Sequence, residues 1–187
     1  KIFLSGSSGK GKTTLMNIIL GLLEVKTGKI TLNNNYQIQY EKNYFEKNTF
    51  FYLPQKPMMV NDSIINNVKL GYDRFRDIIE DKNAVVEALK KSLFFNDSKK
   101  PVDIENTFIT DNSTNISGGQ AQRIAIARLF YFDKKDFIIL DEITNGLDLK
   151  TEEKVLNNIF EEFKESTILI TSHNEVAKKF CSKIINL

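Results

Sequence analysis

Ile2-Phe3-Leu4-Ser5-Gly6-Ser7-Ser8-Gly9-Lys10-Gly11-Lys12-Thr13-Thr14-Leu15 is the stretch that sets the architecture of the chain. Ile2, Phe3 and Leu4 read as a buried strand, residues 5–11 as a Gly/Ser loop, and residues from about 13 to 23 as an apolar helix. Residues Gly6 to Thr13 match the phosphate-loop pattern G-x-x-x-x-G-K-[ST] in full, in the strand-loop-helix setting that the pattern requires. Small residues let backbone N–H groups converge on phosphate oxygens, and the helix N-terminus adds positive potential. In that setting Lys12 reaches the β- and γ-phosphates and the Thr13 hydroxyl ligates Mg²⁺.

A second stretch supplies the other half of such a site. Phe137-Ile138-Ile139-Leu140-Asp141-Glu142 is an apolar run ending in two carboxylates. A buried parallel strand delivers Asp141 to its C-terminal edge, where it holds Mg²⁺, and Glu142 beside it is placed to orient and deprotonate an attacking water. Taken alone, a strand ending in Asp-Glu is more often a solvated strand end; the phosphate loop reverses that reading. Ser117-Gly118-Gly119-Gln120 opens an apolar helix with Ser-x-x-Gln capping-box spacing. The cap does not explain two glycines in the first turn, each costing about 1 kcal/mol relative to Ala. Unobstructed N–H groups at a positive helix end make a second phosphate-binding surface, which points to a site shared between two subunits.

Residues 30–32 and 49–53 read as strands around a polar stretch at 33–48, and Pro54 ends the second. Residues 62–131 turn helical, with Asp62-Ser63 as an N-cap and Ala84, Val85, Ala88, Leu89 and Phe95 near helical spacing; 96–115 lack a period, and Lys99-Lys100-Pro101 marks a surface loop. A strand at 137–140, a helix at about 151–163, a strand at 167–171, a short helix at about 174–180 and a strand at 184–187 complete the chain. Alternating strands and helices imply an α/β fold with a mainly parallel sheet and an inserted helical region.

Composition narrows the function classes. The 187 residues are 41% hydrophobic with 14 Phe, enough for a core without disulfides or structural metal. A single cysteine, Cys181, and a single histidine, His173, exclude an internal disulfide and any Cys/His zinc cluster. Cys181 is expected to pack as a small hydrophobe. A formal charge of +2 is too small for a dedicated nucleic-acid binder, so no nucleic acid is expected as partner. No apolar run approaches the roughly 18 residues that cross a bilayer. Both ends read as strands cut from a longer polypeptide.

Gly6 to Thr14, Gln55, Asn115-Ile116-Ser117-Gly118-Gly119-Gln120, Asp141-Glu142, Asn145-Gly146-Leu147-Asp148 and His173 follow one another in an order and spacing that resembles the nucleotide-binding domain of ATP-binding cassette (ABC) transporters, over nearly the whole chain. The resemblance implies a P-loop NTPase fold: a RecA-like ATP-binding core at 1–61 and 132–187, truncated at its N-terminal side, and a helical subdomain at 62–131 carrying the signature motif. It implies ATP and Mg²⁺, the latter held by Thr13, Gln55 and Asp141. Gln55 is then the Q-loop residue coupling the site to a transmembrane partner, His173 the switch histidine at the γ-phosphate, and Asp148 the aspartate that communicates across a dimer. Gly6, Ser7, Ser8, Gly9, Lys10, Gly11, Lys12, Thr13 and Thr14 of one chain, with Glu142, Gln55 and His173, would face Ser117, Gly118, Gly119 and Gln120 of a second, head to tail. A transmembrane domain fused upstream is the other implied partner, and the cytoplasmic face of the membrane the implied location. The aromatic residue on which the family stacks adenine would lie upstream of Lys1.

This chain departs from the family at Ile143, where Pro or Ala is common, at Asn145-Gly146, where Ser-Ala is usual, and at Ile116, where Leu is usual. None removes a catalytic group. Leu53-Pro54-Gln55-Lys56-Pro57 followed by Asp62 to Val68 resembles the exporter arrangement, while Thr110-Asp111-Asn112-Ser113 matches the acidic exporter segment poorly. Two other ABC-type classes act on DNA or on ribosomes. The first splits its halves with a long coiled coil, and the stretch between Lys12 and Ser117 shows no sustained heptads; the second comes as tandem cassettes joined by a charged linker.

Overall fold

A computed structural model describes residues 1–32, 36–37, 50–70, 82–97, 102–110, 115–132 and 135–187. The polar stretch at 33–48 (apart from 36–37), the loop at 99–101 and positions 111–113 lie outside the described residues. The strands are β1 (Ile2–Ser5), β2 (Thr31–Leu32), β3 (Tyr36–Gln37), β4 (Phe50–Leu53), β5 (Phe137–Asp141), β6 (Thr167–Thr171) and β7 (Lys183–Asn186). β4, β5, β6, β1 and β7 form, in that order, a sheet whose neighbouring strands all run parallel, while β2 and β3 pair antiparallel. The parallel α/β sheet expected from the alternation is present.

β5 is a continuous apolar run because it is covered on both faces and flanked on both edges, with Ile138, Ile139 and Leu140 fully buried. Its register sets Leu140 beside Leu53 and Ile170, and Asp141 beside Thr171. Since the strands are parallel, the ends of β1, β4, β5 and β6 open onto one edge of the sheet.

The helices are α1 (Lys12–Ile19), α2 (Ile64–Lys69), α3 (Lys82–Lys91), α4 (Gly118–Tyr131) and α5 (Leu149–Glu162), with 3₁₀ turns at Phe94–Asp97 and Glu175–Phe180. α1 is shorter than the 13–23 expected from apolar spacing. Gly21 takes the left-handed conformation (φ 68°); its N–H donates to Ile18 O at 3.0 Å and the Leu22 N–H to Asn17 O at 2.8 Å, which closes the helix in a Schellman motif. α5 starts two residues earlier than expected, because Asp148 caps it. The N-cap expected at Asp62-Ser63 is made by Ser63, whose hydroxyl accepts from Asn66 N at 3.2 Å.

α4 is apolar or buried around most of its circumference and therefore runs through the interior. Ala125, Ile126 and Leu129 pack with sheet residues and with Val155, Leu156 and Ile159 of α5. Ile124 and Ala127 pack with Ile64 and Val68 of α2 and Val85 and Leu89 of α3. Arg128, from the same helix, donates to Asn67 O at 2.7 Å, and its burial lowers the guanidinium pKa to about 10. Cys181 packs half-buried against the sheet-side cluster, where burial raises its thiol pKa to about 11.

Candidate nucleotide site

The phosphate loop leaves the sheet at Ser5 and enters α1 at Lys12. Gly11 immediately precedes the helix with φ 89°, a backbone conformation that a side chain there would strain. The Lys12 ammonium folds back over the loop, donating to Gly6 O at 2.7 Å and Ser7 O at 3.2 Å. Thr14 faces solvent. Thr13 is exposed as well, and its hydroxyl donates to Asp141 Oδ2 at 2.9 Å.

Asp141 and Glu142 stand at the end of β5, exposed by only 3% and 8%. Carboxylates so placed need donors to replace lost hydration. The second oxygen of Asp141 receives the Thr171 hydroxyl at 2.8 Å. Tyr52, on β4, has its hydroxyl pKa raised by burial and by the charge of Asp141, so it stays neutral. Glu142 sits at φ 50°, a left-handed conformation rare for a residue with a side chain, and such strain clusters at working sites. Its N–H is bonded to Thr171 Oγ1 at 3.0 Å and Thr171 O at 3.1 Å. Its Oε2 collects three groups: the Gln55 amide, through a short hydrogen bond; Asn145 Nδ2 at 3.0 Å; and His173 Nε2 at 3.0 Å.

Thr13, Asp141, Gln55, Glu142 and His173, singled out along the sequence, are thus joined in one network that four strands bring to the same sheet edge. Thr171 and Asn145 complete it. Neither was singled out as a site residue from sequence. In sequence Thr171 is only the last residue of an apolar strand; the register that sets it opposite Asp141 gives it the role. Asn145 opens one of the motifs that carry the resemblance and departs there from the usual serine.

The remaining candidates stand apart from this network. Ser117 and Gln120 bond each other in a capping box, at 3.1 Å from Gln120 N to Ser117 Oγ and 2.8 Å from Ser117 N to Gln120 Oε1. Gly119 lies so near Gly146 that a Cβ there would be 3.4 Å from Gly146 O. Asp148 accepts from the N–H groups of Lys150 and Thr151 at 3.1 and 3.0 Å. Hydrogen bonds from Thr151, first its side chain and then its backbone, hold the Asp148 carboxyl below its ordinary pKa.

The residues present fit a phosphate ligand with a hard cation. A hydroxyl and a carboxylate sharing a hydrogen bond offer oxygen donors only, which suits Mg²⁺ rather than a softer metal. The loop beside them offers backbone N–H groups and a lysine whose hydrogen bonds are to its own loop's carbonyls.

A family profile described as "ABC transporter" matches residues 1–145. The chain is 31% identical over 191 residues to the lactococcin-A transport/processing ATP-binding protein LcnC of Lactococcus lactis subsp. lactis, covering 99% of this chain and 25% of that protein. It is 34% identical over 187 residues to the glutathione/L-cysteine transport system ATP-binding/permease protein CydD of Bacillus subtilis (strain 168), covering 100% of this chain and 31% of that one. The chain therefore spans between a quarter and a third of the length of these relatives. In fold it is similar to a bacterial Atm1-family ABC exporter solved with ATP bound, at a TM-score of 0.86 and 22% identity over 100% of this chain and 32% of that one.

Proposed function

The chain belongs to the ABC transporter family, and from that premise we propose that it is the ATP-hydrolysing domain of a membrane exporter, powering translocation through ATP-driven, head-to-tail association with a second such domain. The observation that carries the reading is the convergence of Gln55, Asn145 and His173 on one oxygen of Glu142, beside the Thr13–Asp141 pair.

Each residue has a task in this reading. Lys12 leaves the Gly6 and Ser7 carbonyls for the β- and γ-phosphates, exchanging neutral acceptors for charged ones. The N–H groups of residues 6–14 hold the phosphate chain in place. Glu142 orients the attacking water and takes its proton, while Gln55 and His173 hold the carboxylate and its surroundings in position. Mg²⁺, held by Thr13, Asp141 and Gln55, would neutralise charge developing on the transferred phosphoryl group. Ser117, Gly118, Gly119 and Gln120, at the positive end of α4, bind the γ-phosphate held by the second chain, which accounts for their separation from the network of their own chain. Asp148 carries the state of one site toward the other. In this scheme residues 1–61 and 132–187 form the nucleotide-binding core and 62–131 the helical unit carrying the signature.

Among the described residues no helix is long and apolar enough to cross a membrane. A fused transmembrane domain is supported instead by a relative named as an ATP-binding/permease protein, of which this chain spans under a third. The domain then works at the cytoplasmic face of the membrane. Relatives named as transport proteins favour this reading over action on ribosomes or DNA.

The test is Glu142→Gln in the full-length protein. Binding of a fluorescent ATP analogue is expected to persist while phosphate release falls about 10²- to 10⁴-fold. Turnover at the parental rate would refute the general-base role.

A further inference from the structure

Building on the ATP-hydrolysing reading above, we propose that Glu152 is a positioning residue for His173: from the interior it holds the loop that presents the histidine to Glu142. Glu152 lies in the first turn of α5 and is 0% exposed. A buried carboxylate is costly unless donors replace its hydration. Its described partners are three neutral side chains: Oε1 accepts from Thr144 Oγ1 at 2.7 Å and Ser172 Oγ at 3.2 Å, and Oε2 accepts from Asn174 Nδ2 at 2.7 Å. The positive end of α5 adds favourable potential.

The placement of these donors carries the inference. Thr144 lies between Glu142 and Asn145, both in the hydrogen-bonded network, and Ser172 and Asn174 stand directly before and after His173. Ser172 Oγ also accepts from Asn174 N at 3.1 Å, so the loop closes on itself around the same carboxylate. The His173 side chain is 60% exposed, so packing does little to hold it; the anchors on either side fix the backbone from which the imidazole reaches Glu142 at 3.0 Å. A carboxylate serving only to fasten α5 to the sheet has no need of partners on both neighbours of a histidine. The anchor is moreover one helical turn from the α5 cap, the Glu152 N–H donating to Asp148 O at 2.8 Å, so the position of His173 is tied to the start of that helix.

The test uses the full-length protein and compares kcat with KM. Glu152→Gln keeps the shape and an acceptor for both hydroxyls but removes the charge that all three donors share, and the Asn174 amide must turn over to meet the new donor. Its kcat for ATP is expected to fall about tenfold, with KM and the affinity for a fluorescent ATP analogue within about twofold of parental. Adding Asn174→Asp, which supplies an acceptor opposite the new donor, is expected to restore most of the turnover. Asn174→Ala, at an exposed residue, is expected to lower kcat and to add nothing in a His173→Ala background. Parental kcat in Glu152→Gln overturns the proposal, as does a double variant no faster than the single. If Glu152→Gln does not fold, the Asn174→Ala and His173→Ala cycle decides: additive losses overturn the positioning role, and a non-additive loss supports it. A His173→Ala protein at the parental rate overturns the assignment of His173 to the ATP site, and the positioning role with it, which separates that failure from the others.

Discussion

Thr171 donates its hydroxyl to Asp141 Oδ1 at 2.8 Å and with the same oxygen accepts the Glu142 N–H at 3.0 Å, so one β6 side chain fixes both the last residue of β5 and the acidic residue after it. Thr171→Val keeps the shape and removes the hydroxyl. The buried Asp141 oxygen then lacks its donor, a loss of about 1–3 kcal/mol, or a Tm lower by roughly 2–12 °C for a chain of this size. Thr171→Ser is expected to recover most of it. Thermal unfolding of the three proteins checks this, and a Val variant as stable as the parent contradicts it.

Asn145 is one of three groups on Glu142 Oε2 and stands where the family usually has serine. Asn145→Ala leaves Gln55 and His173 to orient the carboxylate. Turnover is expected to fall about tenfold, ~1.4 kcal/mol in barrier, with nucleotide affinity unchanged. Steady-state kinetics alongside equilibrium binding separate the two quantities; unchanged kcat would show that Asn145 is a bystander.

Gly21 ends α1 from a left-handed conformation. Gly21→Ala is expected to cost about 1 kcal/mol of stability, with Gly21→Asn milder, since asparagine tolerates that region better. Urea unfolding measures the difference, and turnover is expected to stay parental, because this turn lies beyond the far end of α1 from the phosphate loop.

Asp148 has its pKa lowered by folding, so the stability it contributes is present above the unfolded carboxyl value and is lost as pH falls through the lower folded value. Asp148→Asn retains a capping oxygen that does not titrate. The stability gap between parent and variant is therefore expected to shrink as pH falls from 6 to below about 4. Denaturant midpoints across that range check the sign; a gap that widens on acidification contradicts it.

The strand-loop-helix unit and the two carboxylates at the end of β5 are legible because each depends on residues adjacent in sequence, whereas His173 enters only through the family resemblance. What escaped depended on pairing across the sheet. Thr171 acquires its role only because β6 runs parallel to β5 with Asp141 opposite it, and no local pattern carries that register. The β2–β3 pairing was hidden in the same way, since Tyr36-Gln37 lies inside a polar stretch. The helix boundaries failed for a different reason. Leu22 and Leu23 continue the apolar spacing past Gly21, so the stop signal in the sequence is outweighed by periodicity, and Asp148, which the resemblance assigns to communication across a dimer, also caps the helix that starts at Leu149.

Ile124 and Ile126, two positions apart on α4 and both fully buried, belong to two different apolar clusters. A fluctuation that releases one side of the helix strips a lining from the other, so the sheet and the α2–α3 packing have no seam along which to open separately. Amide hydrogens in the middle of α4 are therefore expected to be among the last to exchange with solvent, together with those of β5, which hydrogen exchange checks.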